Sequence, residues 1–147
     1  MNIRKATIDD LDRLHELEKL FLAPYTKQQI IYELTENETS VFLVIEDKNK
    51  ILGFIDFWIT FDSATICQLA VDEKYQHLGL ATKLVEESIK ILKNNKEEIL
   101  WYTLEVREQN IKALNLYKKL GFVYVVTKPH YYSNGDNAIY MMKGLID

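Results

Sequence analysis

Cysteine is nearly absent from this 147-residue chain. Cys67 stands alone, so an intramolecular disulfide and a cysteine-based zinc cluster are both excluded, and a reducing, cytoplasmic setting is the expectation. With only five glycines and two prolines, the composition also excludes collagen-like and linker-rich chains. No apolar run approaches the ~20 residues of a membrane span, and the opening MNIRKATIDDLD carries no apolar stretch of the secretory-signal kind. A basic excess is missing too: 18 Lys and Arg against 22 Asp and Glu leave a formal charge of −4, which offers nothing to a nucleic-acid backbone. His15, His77 and His130 share no ligand spacing, so no metal is expected.

What the chain does contain is apolar surface, 48% of residues being hydrophobic and 12% aromatic. At this length they suit one core, and a single domain over residues 1–147 is expected. Asn2 to Ala6 alternates as a short strand, and Thr7 to Asp10 supplies a helix cap ahead of Leu11, Leu14, Leu17, Leu20 and Phe21 at helical spacing. Pro24 ends that helix, and Thr26 opens a second through Ile30, Ile31 and Leu34 that finishes near Glu36 to Ser40. Val41 to Ile45, Ile51 to Phe61 and Ala64 to Asp72, parted by turns at Asp47 to Lys50 and Asp62-Ser63, predict an antiparallel meander.

Gly79 to Asn94 reads as an amphipathic helix with Leu80, Leu84, Val85, Ile89 and Leu92 on one stripe. Ile99 to Val106 is apolar on both parities, as in a strand buried between helices. Asn110 caps a further helix through Leu120, which Gly121 ends, and Phe122 to Thr127 and Asn137 to Met142 form a last hairpin around a long loop with Pro129 and Asn134-Gly135. Strands and helices in the order β α α β β β α β α β β predict a mixed-sheet α/β or α+β domain.

Three places can carry chemistry. Leu69-Ala70-Val71-Asp72 followed by Gln76-His77-Leu78-Gly79-Leu80-Ala81-Thr82 runs from a strand through a loop into a helix whose first amides point outward, and the small Gly79 and Ala81 let an anion approach them. A phosphate fits this pattern, as does a plain glycine-containing turn. Glu105 ends an apolar strand, where α/β sheets commonly place ligands; it suits a general base there, and equally an ion pair with Arg107 or a nearby lysine. Tyr117 is readable as an acid or as a core aromatic, and Tyr131-Tyr132 as a binding loop or a packed lid.

Ala70-Val71-Asp72, Gln-x-x-Gly-x-Ala at 76 to 81, Leu104-Glu105-Val106-Arg107, Asn110 and Ala113-Leu114-x-Leu116-Tyr117-x-x-Leu120-Gly121-Phe122 together resemble the GNAT superfamily of N-acetyltransferases over nearly the whole chain. The Leu-Glu-Val-Arg segment and the Tyr-Tyr loop resemble its ribosomal-protein-alanine branch. The resemblance implies a mostly antiparallel central sheet with helices on both faces, and acetyl-CoA as co-substrate. It implies that Leu69, Ala70 and Val71 bind the pantetheine arm, that His77, Leu78, Gly79, Leu80, Ala81 and Thr82 cradle the pyrophosphate, and that Asn110 contacts the cofactor. Glu105 would be general base, Tyr117 general acid, and Pro24, Tyr25, Tyr131 and Tyr132 would flank the acceptor. The acceptor so implied is a protein N-terminus, such as the alanine of a ribosomal protein, for a cytoplasmic monomer or homodimer that binds neither nucleic acid nor membrane. A lysine side chain or small amine as acceptor, or a non-catalytic acyl-CoA-binding module, are the alternatives. The chain departs from the family's usual residues at Tyr25, His77, Ala81 and Asn137.

Overall fold

A computed structural model describes residues 1–146. Seven strands, β1 (Asn2–Lys5), β2 (Ser40–Asp47), β3 (Lys50–Thr60), β4 (Ser63–Val71), β5 (Trp101–Arg107), β6 (Val123–Lys128) and β7 (Ala138–Gly144), form one sheet in the order β1-β2-β3-β4-β5-β7-β6. Every neighbouring pair is antiparallel except β4 and β5, which run parallel and are joined through helix α3 (Leu80–Lys93). The other helices are α1 (Leu11–Leu17), α2 (Lys27–Thr35) and α4 (Ile111–Lys119). The observed order is the one read from the sequence, although β5 starts two residues beyond the expected Ile99.

Alternation along the strands sorts the core into two layers. Phe42, Val44, Ile51 and Phe54 pack with Leu14, Leu17 and Ile30 of α1 and α2, whereas Leu43, Ile45, Ile55 and Phe57 join Leu80, Leu84 and Leu92 of α3 and Tyr117 of α4. Successive side chains of a strand face opposite sides, so the sheet is covered on both. Each fully buried phenylalanine contributes about 1.5–3 kcal/mol of transfer free energy.

Local chemistry sets the ends of these elements. Thr26 Oγ1 accepts from the Gln29 amide at 3.1 Å while Gln29 Oε1 accepts from the Thr26 amide at 2.8 Å, a reciprocal cap that starts α2. Lys48 and Asn49 both take positive φ, 50° and 66°, in the two-residue turn between β2 and β3. Asp10, expected only to cap, is buried: it accepts from the Thr7 amide and pairs with Arg4 at 2.9 Å.

One irregularity positions the site. Phe57 of β3 faces Ile66, but Asp56 faces Gln68, so Cys67 is an extra residue in β4. A bulge of this kind bends its strand. The β4–β5 ladder covers only Ser63–Ile66 against Trp101–Leu104. Past Ile66 the two strands part, leaving the β5-facing edge of residues 67–71 without a strand partner.

Beside the bulge, Asp56 is fully buried. Its Oδ1 accepts from Ser40 Oγ at 2.7 Å, but its Oδ2 finds no donor. Burial, and then the neighbouring Glu33, push its pKa up to about 9, so it holds a proton at neutral pH. Because the folded chain binds that proton more tightly than the unfolded one, this contribution to stability is full below pH ~4 and declines as pH rises through about 9. Asp56→Asn keeps the shape and cannot ionise, so it should stabilise the protein by about 1–3 kcal/mol at pH ~8 and by less at pH ~5. Thermal melts at the two pH values test this, and an equal effect at both would remove the ionisation argument.

Candidate active site

Where β4 and β5 separate, a cavity of about 950 Å³ opens through the sheet. It is walled by the end of β4, the loop into α3, the end of β5, α4, and the segment between α1 and α2. Of the residues singled out from the sequence, Leu69, Ala70, Val71, His77, Gly79, Leu80, Ala81, Thr82, Glu105, Asn110, Tyr117, Tyr25 and Tyr132 all line it. Leu78, Pro24 and Tyr131 do not, and all three are exposed.

The loop ahead of α3 has the form of an anion cradle. His77 and Gly79 both adopt left-handed backbone, with φ of 67° and 76°, and the first amides of α3 have no acceptor within the helix. A Cβ placed on Gly79 would meet nothing within 4 Å, so the space in front of this turn is open to a ligand. Gln76 steadies the loop by donating to the Val71 carbonyl at 3.2 Å and accepting from Lys112 Nζ at 2.9 Å. Lys112 and Lys119 bring two cations to the cavity wall. Asn110 is a helix cap, its Oδ1 accepting from the Ala113 amide at 3.1 Å.

Glu105 and Tyr117 enter from β5 and α4. The ion-pair alternative for Glu105 is present, with a lysine as the partner: Lys128 Nζ lies 3.1 Å from its Oε1. Arg107 turns instead to Asp136 at 3.0 Å and to the ring face of Tyr132 at 3.8 Å, and so fixes the β6–β7 loop. Tyr131 meets Tyr132 edge-on at 5.1 Å, and the neighbouring Glu105 carboxylate together with burial raises its pKa to about 12. It therefore borders Glu105 while standing outside the cavity wall. Tyr117 packs edge-on against Phe122 at 5.6 Å, as a core aromatic does, but its hydroxyl has no hydrogen-bond partner among the described residues. Burial raises its pKa, so the hydroxyl keeps its proton at neutral pH.

A left-handed turn at a helix start, an opened parallel strand pair, and a carboxylate with a phenol border one cavity. Residues 8–122 match the model of the acetyltransferase (GNAT) family. The chain belongs to that family. It is 35% identical over 158 aligned positions to an N-alpha-acetyltransferase of Saccharolobus solfataricus, covering 97% of this chain and 92% of that one. It is 32% identical over 132 positions to the ribosomal protein bS18-alanine N-acetyltransferase of Haemophilus ducreyi, covering 88% and 87%. The crystal structure of the ribosomal-protein-S18-alanine N-acetyltransferase from Escherichia coli superposes with a TM-score of 0.87 at 26% identity, over 99% of this chain and 94% of that one. The protein is an N-acetyltransferase with the GNAT fold.

Gln68 of the cavity wall and the buried Glu18 that holds it escaped the sequence reading. Buried Glu18 accepts from the Tyr25 amide at 2.7 Å and from Gln68 Nε2 at 3.0 Å, which ties the α1–α2 segment to β4 beside the bulge. Burial raises the pKa of Glu18, and its Oε2 has no donor. The available signal was polarity on an inward position: Glu18 lies one turn past Leu14 on the apolar stripe, and Gln68 shares the inward parity of Ala70.

Proposed function

We propose that this N-acetyltransferase uses acetyl-CoA to acetylate a protein N-terminal amine, with the N-terminal alanine of a ribosomal protein as the acceptor. The observation that carries the reading is that Glu105, Tyr117 and the unpaired edge of β4 border one cavity whose far end is the left-handed turn at His77 and Gly79. The residues fit the donor: outward amides and Lys112 suit the pyrophosphate, and the β4 edge at Leu69, Ala70 and Val71 offers backbone hydrogen bonds to an amide-bearing arm such as pantetheine. When bound, acetyl-CoA supplies the activated acyl group.

In this reading Glu105 takes a proton from the acceptor ammonium, and the freed amine forms the new amide. Tyr117 gives its proton to the departing sulfur. Tyr25 on one side and Tyr131 with Tyr132 on the other hold the first acceptor residues, and Arg107 keeps the latter pair in place. The bS18-alanine relative supports the choice of acceptor.

Mass spectrometry of peptide and amine acetylation tests the acceptor. A peptide with a free N-terminal alanine should exceed a small amine in kcat/KM at least about tenfold, which needs only 1.4 kcal/mol from residues beyond the amine. Equal values would favour a small-molecule acceptor. The cradle is tested separately: Gly79→Val forces a β-branched residue into left-handed backbone at a cost of about 1–2 kcal/mol, although nothing would clash with its side chain. The turn should rearrange and the Kd for CoA should rise about tenfold by calorimetry, and unchanged binding in the folded variant would move the phosphate site elsewhere.

A further inference from the structure

The amine closest to Glu105 belongs to the chain itself. Lys128, the last residue of β6, crosses above β7 to reach it, because β7 lies between β5 and β6 and Tyr140 is paired with Glu105 in the ladder. Lys128 Nζ sits 3.1 Å from Glu105 Oε1, 4.7 Å from the Tyr140 ring centroid and 5.3 Å from that of Tyr131. A carboxylate with aromatic faces around an ammonium is what an acceptor amine also requires. Lys112 and Lys119 border the cavity, but Lys128 is the lysine that hydrogen-bonds Glu105. Its side chain remains 38% exposed on a flexible four-carbon stem, so it is free to shift toward the β4 side of the base.

We infer that Lys128 is an acceptor in its own right, a self-acetylation site modified by the active centre of the same molecule. The inference rests on the reading of Glu105 as the base. Lys128 Nζ gives one proton to Glu105 and forms an N–C bond to the acetyl carbonyl carbon of acetyl-CoA while the C–S bond breaks. The sulfur leaves with its electron pair and takes the Tyr117 proton. The second proton lost by the nitrogen restores Tyr117, and the one on Glu105 passes to water. The products are an N-acetyl-lysine, CoA thiol and one released proton. The new amide is neutral, so the ion pair with Glu105 is lost and the carboxylate is left to an incoming acceptor.

The experiment incubates the purified protein with deuterated acetyl-CoA and no acceptor, and maps the label by mass spectrometry after cleavage at residues other than lysine. Isoelectric focusing follows the loss of one positive charge per modified chain. Lys128 should be labelled about 100-fold faster than exposed lysines such as Lys48 and Lys96, the smaller end of what a positioned base provides. The rate constant should not depend on protein concentration. Glu105→Gln should bring Lys128 down to the surface rate, and Lys128→Arg should abolish the fast label. Labelling of Lys128 no faster than Lys48 and Lys96, labelling that survives Glu105→Gln, or a rate that grows with protein concentration would each overturn the proposal. An N-terminal-alanine peptide run in parallel separates the two readings: its acetylation without Lys128 labelling leaves the enzyme's reaction standing and removes self-acetylation, and failure of both removes both.

Discussion

Glu105→Gln should lower kcat/KM for an N-terminal-alanine peptide by about 10²–10⁴, the range that a positioned acid or base contributes. Glutamine keeps the length and planar head of the side chain, so what is removed is the ability to take a proton. The fold should tolerate it: the pair with Lys128 is partly exposed, at 24% and 38% for the two side chains, and such pairs contribute at most about 1 kcal/mol. The deficit should shrink above pH ~8, because an α-amine with its ordinary pKa near 7.7–8.0 is then largely deprotonated without help. Steady-state rates across pH 6 to 9 (from about two units below that pKa to about one above it) are the measurement. Full activity throughout would leave Glu105 as nothing more than the ion-pair partner of Lys128.

Tyr117→Phe should reduce kcat by about 10²-fold, at the lower end of general acid catalysis, while leaving thermal stability nearly unchanged. Two observations separate the effects. The ring packs edge-on against Phe122 and survives the substitution. The hydroxyl has no partner among the described residues, so removing it breaks no hydrogen bond and leaves no buried group unpaired. Burial keeps the phenol protonated, which an acid needs and a base could not use. Single-turnover rates with acetyl-CoA and unfolding curves on the same sample test the pair of expectations. Wild-type turnover in a stable variant would return Tyr117 to a packing role and assign the proton to water.

The two walls of the cavity differ in how they are built. The side proposed for the donor consists of a strand end, a turn and a helix start close together in the chain, whose conformation is set by Gly79 and by the helix that follows it. The side proposed for the acceptor is assembled from distant pieces. Glu18 and Gln68 are 50 positions apart, and Lys128 meets Glu105 across 23. A variant in the acceptor wall should therefore change several contacts at once, which is why the peptide and small-amine comparison is more informative there than a single substitution.

Local signals in the sequence determined the elements and the donor wall. Period-two alternation in β2 to β4, the reciprocal cap of Thr26 and Gln29, the Asn110 cap and the positive φ at Gly79 and Gly121 each depend on residues within about one turn of one another. These interactions are enforced by neighbours along the chain, so they are legible without the fold. Tertiary structure alone decided the insertion of β7 between β5 and β6, the bulge at Cys67, the consequent parting of β4 from β5, and the partners of Glu105, Glu18 and Asp56. Alternation says which face a strand residue takes but not which strand lies beside it. Asp56 and Gln68 are polar residues on inward positions whose hydrogen-bond partners come from other strands and helices, and burial sets the protonation of Asp56 only once those elements have packed.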